Sequence, residues 1–303
     1  MQTILGAGGA IGVDLARTLP QFTDRIRLVS RNPKPVNEND ELFPINILNY
    51  AEIEKAVSGS EIVYLVVGIN YTIREWKQHW VNIMKHTIDA CLKHNSKLVF
   101  FDNVYSYGLV KGWMTEETPF NPCSVKGEIR AEVATLLLNE MKRGSMQAII
   151  ARGADFYGPH NTKSALMITV FDRLKKKQAA QWMGDVNAKH SFTYTPDAGK
   201  ATAILGNTPD AYNQTWHVPT DMNVLTGKQI IEKVAAIYGV KPKYMAMPRW
   251  MVKASGIFIP ILREFPEMMY QNEHDYLFSS TKFQNRFFKA TPYDEGIRLA
   301  IAG

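Results

Sequence analysis

Cysteine is scarce in this chain: 303 residues contain two, Cys91 and Cys123. That excludes a disulfide scaffold and a cysteine-rich metal site, and it fits a reducing compartment. No His, Cys and carboxylate grouping stands at metal-ligand spacing, so no metal is expected. Long apolar runs are missing too. The most apolar late stretch, 250–262, is interrupted by Lys253, Gly256 and Pro260 and falls short of the ~20 residues that span a bilayer. We expect a buried helix there, or one lining a pocket, and no membrane partner. The first strand begins almost at Met1, without room for a signal peptide, so a cytoplasmic protein is expected.

Dense charge is also lacking. The net charge is +6, yet the basic residues are scattered and only Arg173, Lys175, Lys176 and Lys177 form a run. Such a run reads as a solvated helix face, no nucleic-acid signature accompanies it, and no nucleic-acid partner is expected. A positive field suits an anionic cofactor or substrate equally well. What the chain does have is 46% hydrophobic and 11% aromatic content, enough for a large core. Its length exceeds the usual single-domain mode of about 100–150 residues, which implies one large or two intimate domains.

Periodicity predicts strands at 3–5, 25–29, 42–47, 62–67, 98–101 and 147–151, and helices at 11–19, 72–94 and 126–142. Trp76, Trp80, Ile83, Met84, Ile88 and Cys91 share one stripe of the long helix. Strands alternating with helices imply parallel βαβ units, a Rossmann-type doubly wound sheet of the α/β class. The alternation loosens after Gly158-Pro159. We therefore expect a dinucleotide-binding domain over 1–160, with a segment near 189–220 returning to it, and a smaller α/β substrate lobe over 161–303.

The turn Gly6-Ala7-Gly8-Gly9-Ala10-Ile11-Gly12 lies between the first strand and the first helix. Glycines there permit the bend, the approach of a pyrophosphate and close helix packing, while the helix N-terminus offers free N–H groups. Gly6, Gly9 and Gly12 suit those three roles. The second strand ends at Ser30-Arg31, with no carboxylate for a ribose 2′-hydroxyl. A hydroxyl followed by a guanidinium suits a 2′-phosphate, so NADP is preferred over NAD. Asn46, Val67 and Gly68, at the ends of later strands, are expected to line the same groove.

With these residues placed, the chain resembles the extended and atypical short-chain dehydrogenases/reductases, which include the NAD-dependent sugar-nucleotide epimerases and dehydratases. The resemblance covers nearly the whole length. Besides the glycine turn it rests on Asn103-Val104-Tyr105-Ser106-Tyr107-Gly108, Glu117-Thr118-Pro119, the run from Arg152 to Pro159, Gly184-Asp185, the run from Phe192 to Asp197, the run from Ser279 to Phe283, and Thr291-Pro292. It implies a Ser or Thr after the fifth strand and a Tyr-x-x-x-Lys on the next helix. Here Asn103 takes the first position, and Lys126 and Arg130 take the other two.

The implied chemistry shifts with them. Arg130 can bind the nicotinamide ribose but does not deprotonate. Lys126 either serves as general acid or base, its pKa lowered by burial and by Arg130, or simply reaches solvent from the first helical turn. Asn103 can polarise a carbonyl. Tyr105 and Tyr107 either supply the missing phenol or fill space. Substrate candidates are His160, Asn161 and Lys163, then His190, Phe192, Tyr194 and Arg263, a mixture that suits an anionic substrate such as a sugar nucleotide. Two functions stay open. One is an NAD(P)-dependent oxidoreductase or epimerase with a non-standard site, acting on a carbonyl, hydroxyl or nucleotide-linked sugar. The other is a catalytically inactive dinucleotide-binding sensor or scaffold. The resemblance also implies a homodimer through the helices at 72–94 and 126–142.

Overall fold

In the computed structural model, which describes residues 1–159 and 161–303, seven strands form one parallel sheet. They are β1 (Gln2–Leu5), β2 (Ile26–Ser30), β3 (Glu41–Pro44), β4 (Ile62–Leu65), β5 (Lys97–Asp102), β6 (Ala148–Arg152) and β7 (Gln214–His217). Their order is β7-β6-β5-β4-β1-β2-β3, and every pairing is parallel. The strand order reverses around β1, which pairs with both β2 and β4. Open α/β sheets bind ligands at such a switch point, and the glycine turn leaves β1 there.

Five helices cover the two faces: α1 (Ala10–Thr18), α2 (Tyr50–Val57), α3 (Ile73–His94), α4 (Val125–Arg143) and α5 (Thr195–Gly206). Because successive strand residues point to opposite faces, Leu5, Val63, Leu65, Leu98 and Phe100 pack under α2, α3 and α4. Ile4, Leu28, Ile62, Tyr64 and Val99 pack under α1 and α5. The apolar stripe of α3 is buried in this first core rather than left for a partner. Thr72 and Ser124 cap α3 and α4 by accepting from the N–H groups of Glu75 and Gly127, and left-handed Asn95 and Gly144 end them. The helix α2 has no counterpart in the periodicity reading. It starts at Asn49, whose side chain accepts from the Ala51 N–H, and this turn ends β3 at Pro44 rather than at 47.

The second lobe has its own core, in which Val170, Phe171, Trp182 and Phe192 meet Ile230, Ile231 and Ile297. The chain passes from it back into the first body through α5, packed on α1, and through β7. The stretch 250–262 departs from expectation. A seven-residue helix, Arg249–Ser255, ends at Gly256, a turn follows, and a 3-10 helix spans Pro260–Glu264. Trp250 is 68% and Phe258 85% exposed, so this is a surface feature and not a buried helix.

Candidate active site

The glycine turn has the geometry of a phosphate cradle. Gly6 adopts φ 99°, and a Cβ there would lie 2.7 Å from the Val67 Cα. A Cβ on Gly12 would lie 2.8 Å from the Gly6 carbonyl oxygen, which fixes how closely α1 approaches β1. Gly8 differs, because a Cβ there would meet nothing within 4 Å, and the same holds for Gly68, which follows Val67. Gly9 caps α1 without any side-chain hydrogen bond, and no acidic residue stands in the first turn. The N-terminal field and its donors are therefore left for an anion. Gly9, expected to let a pyrophosphate approach, is exposed as Gly8 is, and a Cβ there would make only an ordinary 3.6 Å contact with the Gly6 carbonyl oxygen. Ser30 ends β2, and Arg31 beside it is exposed and makes no ion pair among the described residues. The exposed Asn46 accepts from the Leu48 N–H and donates its own N–H to Glu52, which supports the turn below the groove.

At the carboxyl end of β5, Asp102 is buried between two guanidinium groups. Arg130 donates to its Oδ1 through Nε at 2.8 Å and through Nη2, and Arg152 donates to its Oδ2 at 3.1 Å. The Arg130 guanidinium lies 4.3 Å from the Trp80 ring centre. Only its Nη1 lacks a hydrogen-bond partner among the described residues, so its expected hold on a ribose reduces to that nitrogen. Arg152 also donates to the Tyr107 hydroxyl at 2.8 Å. Tyr107 donates to His217 Nε2 at 2.9 Å, and His217 Nδ1 donates to the Ser279 carbonyl at 2.7 Å. Burial drives the His217 pKa down to about 3, so the imidazole is neutral, as those partners require. Tyr107 is thus a fully engaged interior group. Asn103 accepts from the Tyr105 N–H at 3.0 Å, while its amide NH2 has no partner among the described residues and can donate.

Lys126 is completely buried, which overturns the solvent-reaching alternative. Its ammonium donates to the Glu264 carbonyl at 3.1 Å, to Glu264 Oε2 at 2.9 Å and to Glu267 Oε1 at 3.0 Å, and it lies 4.7 Å from the Tyr71 ring centre. Its three donors are all used. Arg130, the expected source of like-charge repulsion, is compensated by Asp102. The same carboxylates accept from the first N–H groups of two helices: Glu264 from Ile73 of α3 and Glu267 from Val125 of α4, each at 2.8 Å. The Tyr71 and Tyr105 hydroxyls are 3.4 Å apart, and Tyr105 stacks on Trp76. Burial pushes both phenols far above the ordinary tyrosine range, and the Asp155 charge adds to this.

A family model, the NAD dependent epimerase/dehydratase family, matches residues 3–224. The chain belongs to this family. No curated protein matches the chain in sequence. Among solved structures, the UDP-glucose 4-epimerase of Thermotoga maritima with UDP-glucose superposes at a TM-score of 0.83, at 16% identity over 100% of this chain and 98% of that one. The UDP-glucuronic acid 4-epimerase of Bacillus cereus, with UDP-glucuronic acid and NAD, gives 0.82 at 15% identity over 100% and 98%. The UDP-glucose 4-epimerase of Thermus thermophilus, with NAD, gives 0.81 at 16% identity over the same shares. At these identities the likeness is one of fold.

Just before the second lobe, in the short strand Asp155–Tyr157, stands an acid that the sequence reading passed over. Asp155 stands 2.9 Å from His190 Nε2, and His190 Nδ1 lies 3.0 Å from the Gln271 carbonyl oxygen. The imidazole is held between Phe192 and Tyr276, each ring centre 4.5 Å away. His190 is therefore oriented by its neighbours, and Phe192 belongs to the lobe core rather than to a ligand surface. Tyr194 is likewise buried in that core. Arg263, expected to touch substrate, donates to the carbonyls of Gly256 and Ile257 at 2.6 and 3.3 Å and so closes a loop. Lys163 is exposed, Asn161 is half-buried, and His160 lies outside the described residues. Sequence reasoning also missed Tyr71, Asp102, Glu264 and Glu267. Asp155 alone lay in a quoted motif, between Arg152 and Pro159.

Proposed function

We propose that this epimerase/dehydratase family member binds a nicotinamide dinucleotide on its glycine turn and acts on a carbonyl, hydroxyl or nucleotide-linked sugar through a non-standard site. The observation that carries the reading is the open backbone at Gly8, beside a helix N-terminus without a side-chain cap, on a turn whose Gly6 packs against Val67. Gly8, Gly9, Ala10, Ile11 and Gly12 would hold the pyrophosphate, with Val67, Gly68 and Asn46 lining the groove. Ser30 and the uncompensated Arg31 support a preference for NADP, whereas two of the solved structures above, the Thermus thermophilus and Bacillus cereus epimerases, carry NAD. The bound nicotinamide would supply or accept a hydride. The free amide of Asn103 polarises the substrate oxygen and Tyr105 stays a neutral hydrogen-bond donor, while the buried Lys126 ammonium, its three donors taken by Glu264 and Glu267, positions the elements around the site. Arg130 acts from beneath, holding Asp102 and offering Nη1. A thermal-shift titration with NADP and NAD tests the reading, and a protein that responds to neither refutes it.

The sensor or scaffold reading is favoured by one observation: Lys126 and Arg130, at the proton-transfer positions, are both engaged by internal carboxylates. Sustained turnover of UDP-glucose or a simple carbonyl with cofactor rules it out. A homodimer through α3 and α4 would use half-buried Val81, Leu136, Leu138 and Met141, because the main α3 stripe is interior. Light scattering at micromolar concentration decides that.

A further inference from the structure

Residues 241–263 contain Lys241, Lys243, Arg249, Lys253 and Arg263 and not one Asp or Glu. The same stretch carries the four most exposed large apolar residues of the described chain, Trp250 at 68%, Ile257 at 69%, Phe258 at 85% and Ile259 at 50%, with Ile261 also exposed. The helix Arg249–Ser255 is anchored from inside by Val252, which packs with Met247 and Met269. Trp250 and Lys253 share the opposite, outward side, three residues apart. Beyond Gly256 the tip 257–259 is folded back by Arg263, whose guanidinium holds the Gly256 and Ile257 carbonyls and so keeps a cation beside the apolar side chains. The base of the tip is pinned by Glu264 and Glu267 to Lys126, α3 and α4. The tip is thus held in place while its aromatic and branched side chains face water.

We propose that this tip docks on the surface of an anionic lipid bilayer, inserting Phe258, Ile257 and Trp250 to the headgroup level while Lys241, Lys243 and Lys253 meet the lipid phosphates. Trp and Phe beside Lys and Arg on a convex apolar element is the composition that partitions into the membrane interface. Lys241, Lys243 and Lys253 are exposed and form no ion pair among the described residues, so their charge is free for an external anion. A second copy of this chain fits the tip less well. A two-fold contact sets the same patch against itself, and here that brings cation against cation. No helix of the described chain is long and apolar enough to cross a membrane. Surface docking needs none, so the expectation of no membrane partner, drawn from the lack of a spanning run, does not bear on it.

The test uses the full chain with sedimenting vesicles of phosphatidylcholine alone or with about one-third phosphatidylglycerol. The expected result is binding to the anionic vesicles that weakens with salt and is at least about tenfold tighter than to the neutral ones. Phe258→Asp abolishes binding without altering the melting temperature, because that side chain touches little. Replacing Lys241, Lys243 and Lys253 by Gln costs roughly fivefold per residue, about a hundredfold together. Equal partition into both vesicle types, no binding to either, or a dimer in light scattering that Phe258→Asp dissociates would each overturn the proposal.

Discussion

The Lys126 ammonium and the Glu264 carboxylate lie 2.9 Å apart across 138 residues of sequence. One buried cation thereby ties the first turn of α4 to a 3-10 segment of the second lobe. The same segment caps α3. The pair is therefore as much a clasp between lobes as a candidate catalytic group.

Lys126→Met leaves Glu264 and Glu267 facing each other without a countercharge. Removing one partner of a buried pair typically costs about 3–5 kcal/mol, and the lower end is expected here because each carboxylate keeps some contact with water. Urea unfolding measures it. Adding Glu264→Gln and Glu267→Gln to the same protein should recover most of the loss. A Lys126→Met protein as stable as the parent would show that the clasp holds nothing.

Asp102→Asn should be worse, because it strands Arg130 and Arg152 together in a dry interior. We expect a loss of at least about 3 kcal/mol by chemical denaturation. An Arg130→Met, Asp102→Asn double variant should be less destabilised than the two single changes sum to.

How much of this was legible follows from what period and proximity can encode. The buried runs of β4 and β6 and the long stripe of α3 write the βαβ alternation into the chain, and the glycine turn marks where β1 ends. Those signals are local. The partners of Lys126, Glu264 and Glu267, lie just past the apolar stretch read over 250–262, and nothing near Lys126 in sequence points to them. Asp102 lies one residue past the strand read over 98–101 and drew no reading, although two distant arginines make it the hub of the site floor. The tip at 257–259 departs from expectation for a related reason. Apolar composition predicts burial only when another surface is there to cover it, and Gly256 and Pro260 turn this segment outward.

Acid should weaken the fold through His217. Its folded-state pKa of about 3 lies below the ordinary value of 6.5, so the unfolded chain takes up the proton first. The stabilisation is full above about pH 6.5 and is lost progressively as the pH falls toward 3. The contribution is on the order of a few kcal/mol, as a shift of several units in a buried ring implies. Stability measured against pH should fall over that window, and His217→Gln should flatten the slope while lowering stability at neutral pH. A parent protein equally stable at pH 7 and pH 4.5 would contradict a neutral buried His217.

The glycine turn yields the sharpest separation of fold from function. A side chain at Gly12 must push against the Gly6 carbonyl oxygen and the Ala7 backbone at 2.8–2.9 Å, so Gly12→Ala should lower the melting temperature of the cofactor-free protein. A side chain at Gly8 enters open space, so Gly8→Val should leave that temperature nearly unchanged. The same valine occupies the ground that a pyrophosphate needs, so the thermal shift produced by NADP or NAD should disappear. Calorimetric scans of both variants, with and without dinucleotide, check the pair. If Gly8→Val still responds to cofactor as the parent does, the phosphates do not sit on this turn, and the dinucleotide binds elsewhere than the β1 switch point.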